Sequence, residues 1–137
     1  MKNERLIKNL KEEELPESIV SKCAKLYCEV WKEGPWNEDF WTLESVCKKI
    51  EEDIVKVGSE FFVSLEVASA KMLVTGFTWG YSFDYEQIKK ISTCPEFLKH
   101  FNSLKKVFYV AELGVDIKFR RSGTGKNLSK TLIKKVV

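Results

Sequence analysis

Apolar residues recur along this chain at two different periods. Ile19, Cys23, Leu26, Tyr27, Val30 and Trp31 fall at i, i+4, i+7, i+8, i+11 and i+12, so "LPESIVSKCAKLYCEVWKE" carries one apolar stripe and predicts a helix. Pro16 suits its first turn, and "GPWN" ends it. Leu43, Val46, Cys47, Ile50 and Ile54 make a second stripe, predicting a helix over 38–55. "EFFVSLEV" and "KMLVTGFTWGY" are β-rich runs separated by the small, polar "ASA", which predicts an antiparallel hairpin. Helical character returns over 84–105. "KVFYVAELGVD" then reads as a strand, and a last helix starts near Ser122 with Leu128, Leu132, Ile133 and Val136 as its apolar side. With "ERLIKNL" as a short first strand, the order is β, α, α, β, β, a helical insertion, β, α. That order predicts an α+β fold, a mostly antiparallel sheet flanked by helices.

Length fits one domain spanning residues 1–137. A hydrophobic content of 44% is enough for a core, and no apolar run approaches the roughly 20 residues of a membrane span. The N-terminal stretch has no apolar segment of the secretory kind, so the expected location is the cytoplasm. Cys23, Cys28, Cys47 and Cys94 show no CxxC spacing and read as reduced, structural thiols. His100 has no visible partners for a zinc or Cys–His site, so no metal is expected.

Charge changes the picture at the C-terminal end. Residues 116–137 hold seven basic side chains and only Asp116 as an acid, while the rest of the chain is net acidic. Lys126, Lys130 and Lys134, spaced four apart, read as a solvated helix face. The concentration of positive charge around the turn "RRSGTGKN" points to an anionic ligand there. The turn follows a strand and opens a helix, whose first N–H groups lack partners and carry the positive end of the helix dipole. Gly123 and Gly125 permit close approach, and Arg120, Arg121 and Lys126 add full charges. These are the parts of a phosphate or pyrophosphate cradle. A P-loop does not fit, because Asn127 follows Gly125-Lys126 and Arg120 stands where its first glycine belongs. The dinucleotide pattern GxGxxG would need glycine at Leu128.

What remains is R-x-x-G-x-G, Arg120 to Gly125. With "ELGVD" before it and an amphipathic helix after it, this resembles the acyl-coenzyme A motif of the GCN5-related N-acetyltransferases. The order of elements is similar to that family over nearly the whole chain, with residues 112–128 carrying most of the specificity. The resemblance implies transfer of an acetyl group from acetyl-CoA directly to an amine acceptor. It implies that Leu113, Gly114 and Val115 hold the pantetheine arm on the motif strand. Arg120, Arg121, Ser122, Gly123, Thr124, Gly125 and Lys126 would bind the pyrophosphate, and Glu112 would be the general base. Strand alternation places Glu112 with Phe108 and Val110, on an apolar face that raises a carboxylate pKa toward what a base needs. The alternative for Glu112 is a pairing with a lysine. The resemblance also brings the "VWKEGPWNEDFW" loop to the acceptor pocket. Trp36 is its best candidate, with Trp79 and Tyr81 on the third strand near the acceptor; the alternative for those two is the core.

The chain departs from that family after the motif helix. The fifth strand, the helix that often supplies a tyrosine acid, and the final strands have no counterpart, so the domain reads as C-terminally incomplete. The motif strand would then keep a free edge open to self-association, a homodimer being one outcome. A non-catalytic CoA-binding or self-associating fragment is the second reading. Nucleic acid is an unfavoured partner, since the basic residues are local and the pI is about 8.6. No membrane partner is expected, and the acceptor amine is not named by any motif.

Overall fold

In the computed structural model, residues 4–11, 17–100 and 106–137 are described. The elements are β1 (Glu4–Asn9), α1 (Glu17–Lys32), α2 (Leu43–Ile54), β2 (Glu60–Ala68), β3 (Lys71–Phe83), α3 (Tyr85–Ile91), α4 (Pro95–Lys99), β4 (Val107–Val115) and α5 (Thr124–Val136). Pro16, expected in the first turn of α1, lies outside the described residues. The four strands form one antiparallel sheet in the order β1-β2-β3-β4. This is an α+β architecture.

Strand alternation sorts the core into two layers. Phe61, Val63 and Leu65 on β2 and Phe77 and Trp79 on β3 point to one face, where α1 and α2 supply Ile19, Cys23, Tyr27, Val46 and Ile50. Phe62 points to the opposite face and meets Leu128 and Leu132 of α5. A third cluster, Tyr81, Phe83 and Ile88, joins the far end of β3 to the short α3. The i, i+4 stripes therefore bury as the sequence pattern expects, with two exceptions. Leu43 is 48% exposed and Ile133 is 56% exposed. Leu43 is the first residue of α2, which begins later than the pattern suggested. Thr42 accepts a hydrogen bond from the Ser45 N–H (3.1 Å), and Ser45 Oγ accepts from the Thr42 N–H (2.9 Å). This reciprocal cap fixes the helix start there.

The main departure from expectation is a β-bulge in β4. Trp79 is opposite Glu112, but Gly80 is opposite Val110, so Ala111 is an extra residue. The side chains of Ala111 and Glu112 both turn toward the α1/α2 layer. Phe108 stays on the α5 side. Simple alternation over residues 108–112 fails here, and Glu112 does not share a face with Phe108.

Candidate functional site

Glu112 is held beneath α1 and α2. Its Oε1 accepts a hydrogen bond from the Tyr27 hydroxyl at 2.9 Å and lies 3.8 Å from Lys49 Nζ. Its backbone carbonyl accepts from Thr78 Oγ1 at 2.9 Å. Burial pushes its carboxyl above the ordinary range, and the Tyr27 hydrogen bond and the Lys49 charge offset only part of that rise. The Tyr27 hydroxyl is raised as well, by its own burial and then by the facing carboxylate.

Lys49 connects Glu112 to a second buried acid. Asp53 lies 3.5 Å from Lys49 Nζ and 2.8 Å from Lys56 Nζ, and accepts from the Trp79 indole N–H at 3.0 Å. Burial works to raise the Asp53 pKa, but the hydrogen bonds from Lys56 and Trp79 and the two lysine charges outweigh it and hold the carboxyl below its ordinary value. The two acids thus share a lysine and shift in opposite directions.

The outer edge of β4 continues into the turn. The Asp116 N–H donates to Thr75 O on β3 at 2.9 Å, and Glu112 O faces Thr78 of the same strand. Backbone groups alternate sides along a strand, so the N–H and C=O groups of Leu113 and Val115 face away from β3. No other strand pairs with that edge among the described residues. A groove of about 360 Å³ runs beside it, lined by Leu113, Gly114, Val115, Arg120, Val30, Trp31 and Trp36. Trp31 and Trp36 meet edge to face, 5.2 Å apart. The Trp31 indole N–H is buried with no hydrogen-bond partner, a rare condition for a buried donor.

The turn is built by local chemistry. Asp116 Oδ1 accepts from the Lys118 N–H at 2.9 Å and starts a single 3-10 turn over Ile117–Phe119. Arg121 and Gly123 then adopt left-handed backbone conformations, φ 64° and 86°. The first bond of α5 runs from the Asn127 N–H to Gly123 O at 2.9 Å, which leaves the amides of 124–126 ahead of the ladder. No side chain caps them. A Cβ added at Gly123 would meet nothing within 4 Å, so the space above the helix end is open. Ser122 Oγ donates to Phe119 O and lies 3.2 Å from Thr124 Oγ1. Thr124 is buried.

The expected site residues divide into three groups. Leu113, Gly114, Val115 and Arg120 share the groove with Trp36, whose ring is 54% exposed. Arg121, Ser122, Gly123, Gly125 and Lys126 surround the open end of α5, with Arg121 and Lys126 exposed. Arg120 faces a different partner from the one expected. Its guanidinium makes a bidentate pair with Glu33 at the end of α1, 2.7 and 3.0 Å, while its Nε donates to Val115 O at 3.0 Å. Trp79 and Tyr81, expected near the acceptor, do not line the β4 groove. Trp79 is 1% exposed, stacked on Phe61 at 4.5 Å, with its N–H committed to Asp53. Tyr81 is also buried, under Lys56 with Nζ 4.1 Å from its ring centre. Trp79 is a core residue with no open face, whereas Tyr81 lines a separate cavity of about 450 Å³ with Lys56, Ser82 and Lys106. The sequence reading missed Tyr27, Lys49, Asp53 and Glu33. In the sequence Tyr27 reads only as part of the apolar stripe, and the others carry no local pattern.

No helix among the described residues is long and apolar enough to cross a membrane. Among the same residues, no group of three or more histidines, cysteines or acids is placed to hold a metal.

No protein-family model matches this chain, and no curated protein matches it. Among solved structures, it is similar to PH1933 from Pyrococcus horikoshii OT3, with a TM-score of 0.60 over 96% of this chain and 71% of that one. At 19% identity that likeness shows the fold alone.

Proposed function

We propose that this chain is an acetyl-CoA-dependent N-acetyltransferase of the GCN5-related kind. The observation that carries the reading is the continuity of the free β4 edge, the groove beside it and the uncapped start of α5. An extended arm with amide groups fits the outward N–H and C=O of Leu113 and the outward N–H of Val115, whose carbonyl already accepts from Arg120 Nε. Trp31 and Trp36 supply apolar surface to the same groove. A pyrophosphate fits the open end of α5, where three amides, Arg121 and Lys126 converge in sequence. Arg120 takes a supporting role, since Glu33 and Val115 already occupy three of its five N–H donors.

The bound thioester would supply an activated acetyl carbon beside β4. The chain's own contribution is to hold the arm, to shield the groove with Trp31 and Trp36, and to accept the proton of the incoming amine. Glu112 suits that last step. Burial raises its proton affinity toward the working range of a base, while Tyr27 and Lys49 occupy only Oε1. Proton transfer runs directly or through one water. Free-thiol release from acetyl-CoA with a panel of polyamines, amino sugars and peptide amines tests the activity. Release that falls at least about a hundredfold in Glu112→Gln supports the base assignment; binding of acetyl-CoA without thiol release from any acceptor leaves a binding module instead.

A further inference from the structure

We propose that the groove between β1 and α5 binds a small phosphorylated molecule, separate from the site on the β4 edge. This groove has a volume of about 320 Å³ and lies on the α5 side of the sheet. Arg5 enters it from β1, and Lys130 and Lys134 enter it from successive turns of α5. None of the residues lining it is acidic, and among the described residues none of these three cations forms an ion pair. Lys130 and Lys134 stand at i and i+4, a like-charge spacing that costs the helix stability. A counter-charge supplied from outside relieves that repulsion. The groove also departs from ordinary helix-on-sheet packing. Leu128 and Leu132 bury against Phe62, but the adjoining strip of α5, Asn127, Lys130, Thr131 and Lys134, is polar where it faces the strand.

The floor of the groove offers a directed donor. Ser64 is 6% exposed, and its Oγ accepts from Thr75 Oγ1 at 3.0 Å. Its own proton is left to donate. The Asn127 side-chain amide brings a further donor to the rim. Three cations with hydroxyl and amide donors suit an oxyanion of charge two or more, that is, a phosphate ester or pyrophosphate. The groove's size falls at the small-molecule end of binding cavities, which favours a phosphorylated metabolite over a nucleic-acid strand. Glu66 is the nearest acid in register, opposite Arg5 on β2. It is buried and has an interaction of its own, and it limits how much negative charge the Arg5 end accepts.

The test is a calorimetric titration of the chain with inorganic pyrophosphate, repeated on the Lys130→Gln/Lys134→Gln variant and on Arg121→Gln. Both substitution sets lie on exposed positions, and circular dichroism checks that each variant is folded. Saturable binding to the wild type is expected. It should weaken at least about tenfold in K130Q/K134Q, the size of two lost charge-assisted contacts, and less in R121Q, whose cation belongs to the turn. Acetyl-CoA binding should be unchanged in K130Q/K134Q, so loss of one activity does not imply loss of the other. Absence of pyrophosphate binding overturns the proposal. So does weakening in R121Q alone, which would place the anion at the turn. A single-stranded RNA that binds more tightly than pyrophosphate, with a steep salt dependence and sensitivity to K130Q/K134Q, overturns it in favour of nucleic acid.

Discussion

Arg120 and Glu33 form a bidentate ion pair, Nη1 to Oε2 at 2.7 Å and Nη2 to Oε1 at 3.0 Å, across 87 positions of sequence. The pair ties the turn after β4 to the end of α1, and so fixes the width of the groove between them. Both side chains are about a third exposed, so the direct contribution to stability is small, about 0.5–1 kcal/mol. A double-mutant cycle of Arg120→Ala and Glu33→Ala, read by urea denaturation, is expected to give a coupling of that size. Additive losses would show that the pair does not act as a unit.

The Glu112 carboxyl, raised by burial, makes a signed statement about pH. Its contribution to stability is fully present below its unfolded-state pKa of about 4.3 and is lost as pH rises through the higher folded value. Glu112→Gln keeps an acceptor for Tyr27 and removes this titration. Relative to wild type, the variant should therefore gain in Tm between pH 4 and pH 7. A gap that is constant across that range would mean that Glu112 ionises at no cost.

Asp53 has the opposite sign. Its pKa is held down, so its stabilising effect is present above the unfolded value and lost as pH falls through the folded one. At neutral pH, Asp53→Ala should cost about 2–3 kcal/mol, chiefly because the buried Trp79 N–H loses its acceptor. The loss from Asp53→Ala should be smaller in a Trp79→Phe background, where no indole donor is orphaned, although Trp79→Phe by itself costs stability through the cavity it opens. Denaturant melts of the single and double variants decide the point.

The bulge at Ala111 depends on Gly80. A Cβ at Gly80 would lie 2.1 Å from Tyr109 O and 2.7 Å from the Phe108 ring, both too close for any real contact. Gly80→Ala should therefore destabilise the chain by about 2 kcal/mol or more. The expected further signature is loss of any Glu112-dependent activity, since the strand must shift where Glu112 is presented. A Tm unchanged from wild type would contradict this geometry.

The fold was largely legible because its long elements obey one period each. The α1 stripe, the β2–β3 hairpin and the Leu128–Leu132 face of α5 all pack as their spacing requires. The turn was legible too, as a strand followed by glycines and a helix start. What the pattern hid was long-range or irregular. One extra residue, Ala111, turns Glu112 to the other face of the sheet, and no local signal marks it. The partner of Arg120 lies in α1, outside any motif. Trp79 reads equally as a surface or a core aromatic until Asp53 is seen to accept its N–H.

The central claim is that the β4 edge and the start of α5 together bind acetyl-CoA. Isothermal titration of the folded chain with acetyl-CoA measures this most directly, with Arg121→Gln/Lys126→Gln as the comparison because both cations are exposed beside the open end of α5. Saturable one-to-one binding is predicted, with affinity reduced at least about tenfold in Arg121→Gln/Lys126→Gln, the size of two lost charge-assisted contacts. Absence of binding heat, together with no change in Tm at saturating acetyl-CoA, would contradict it.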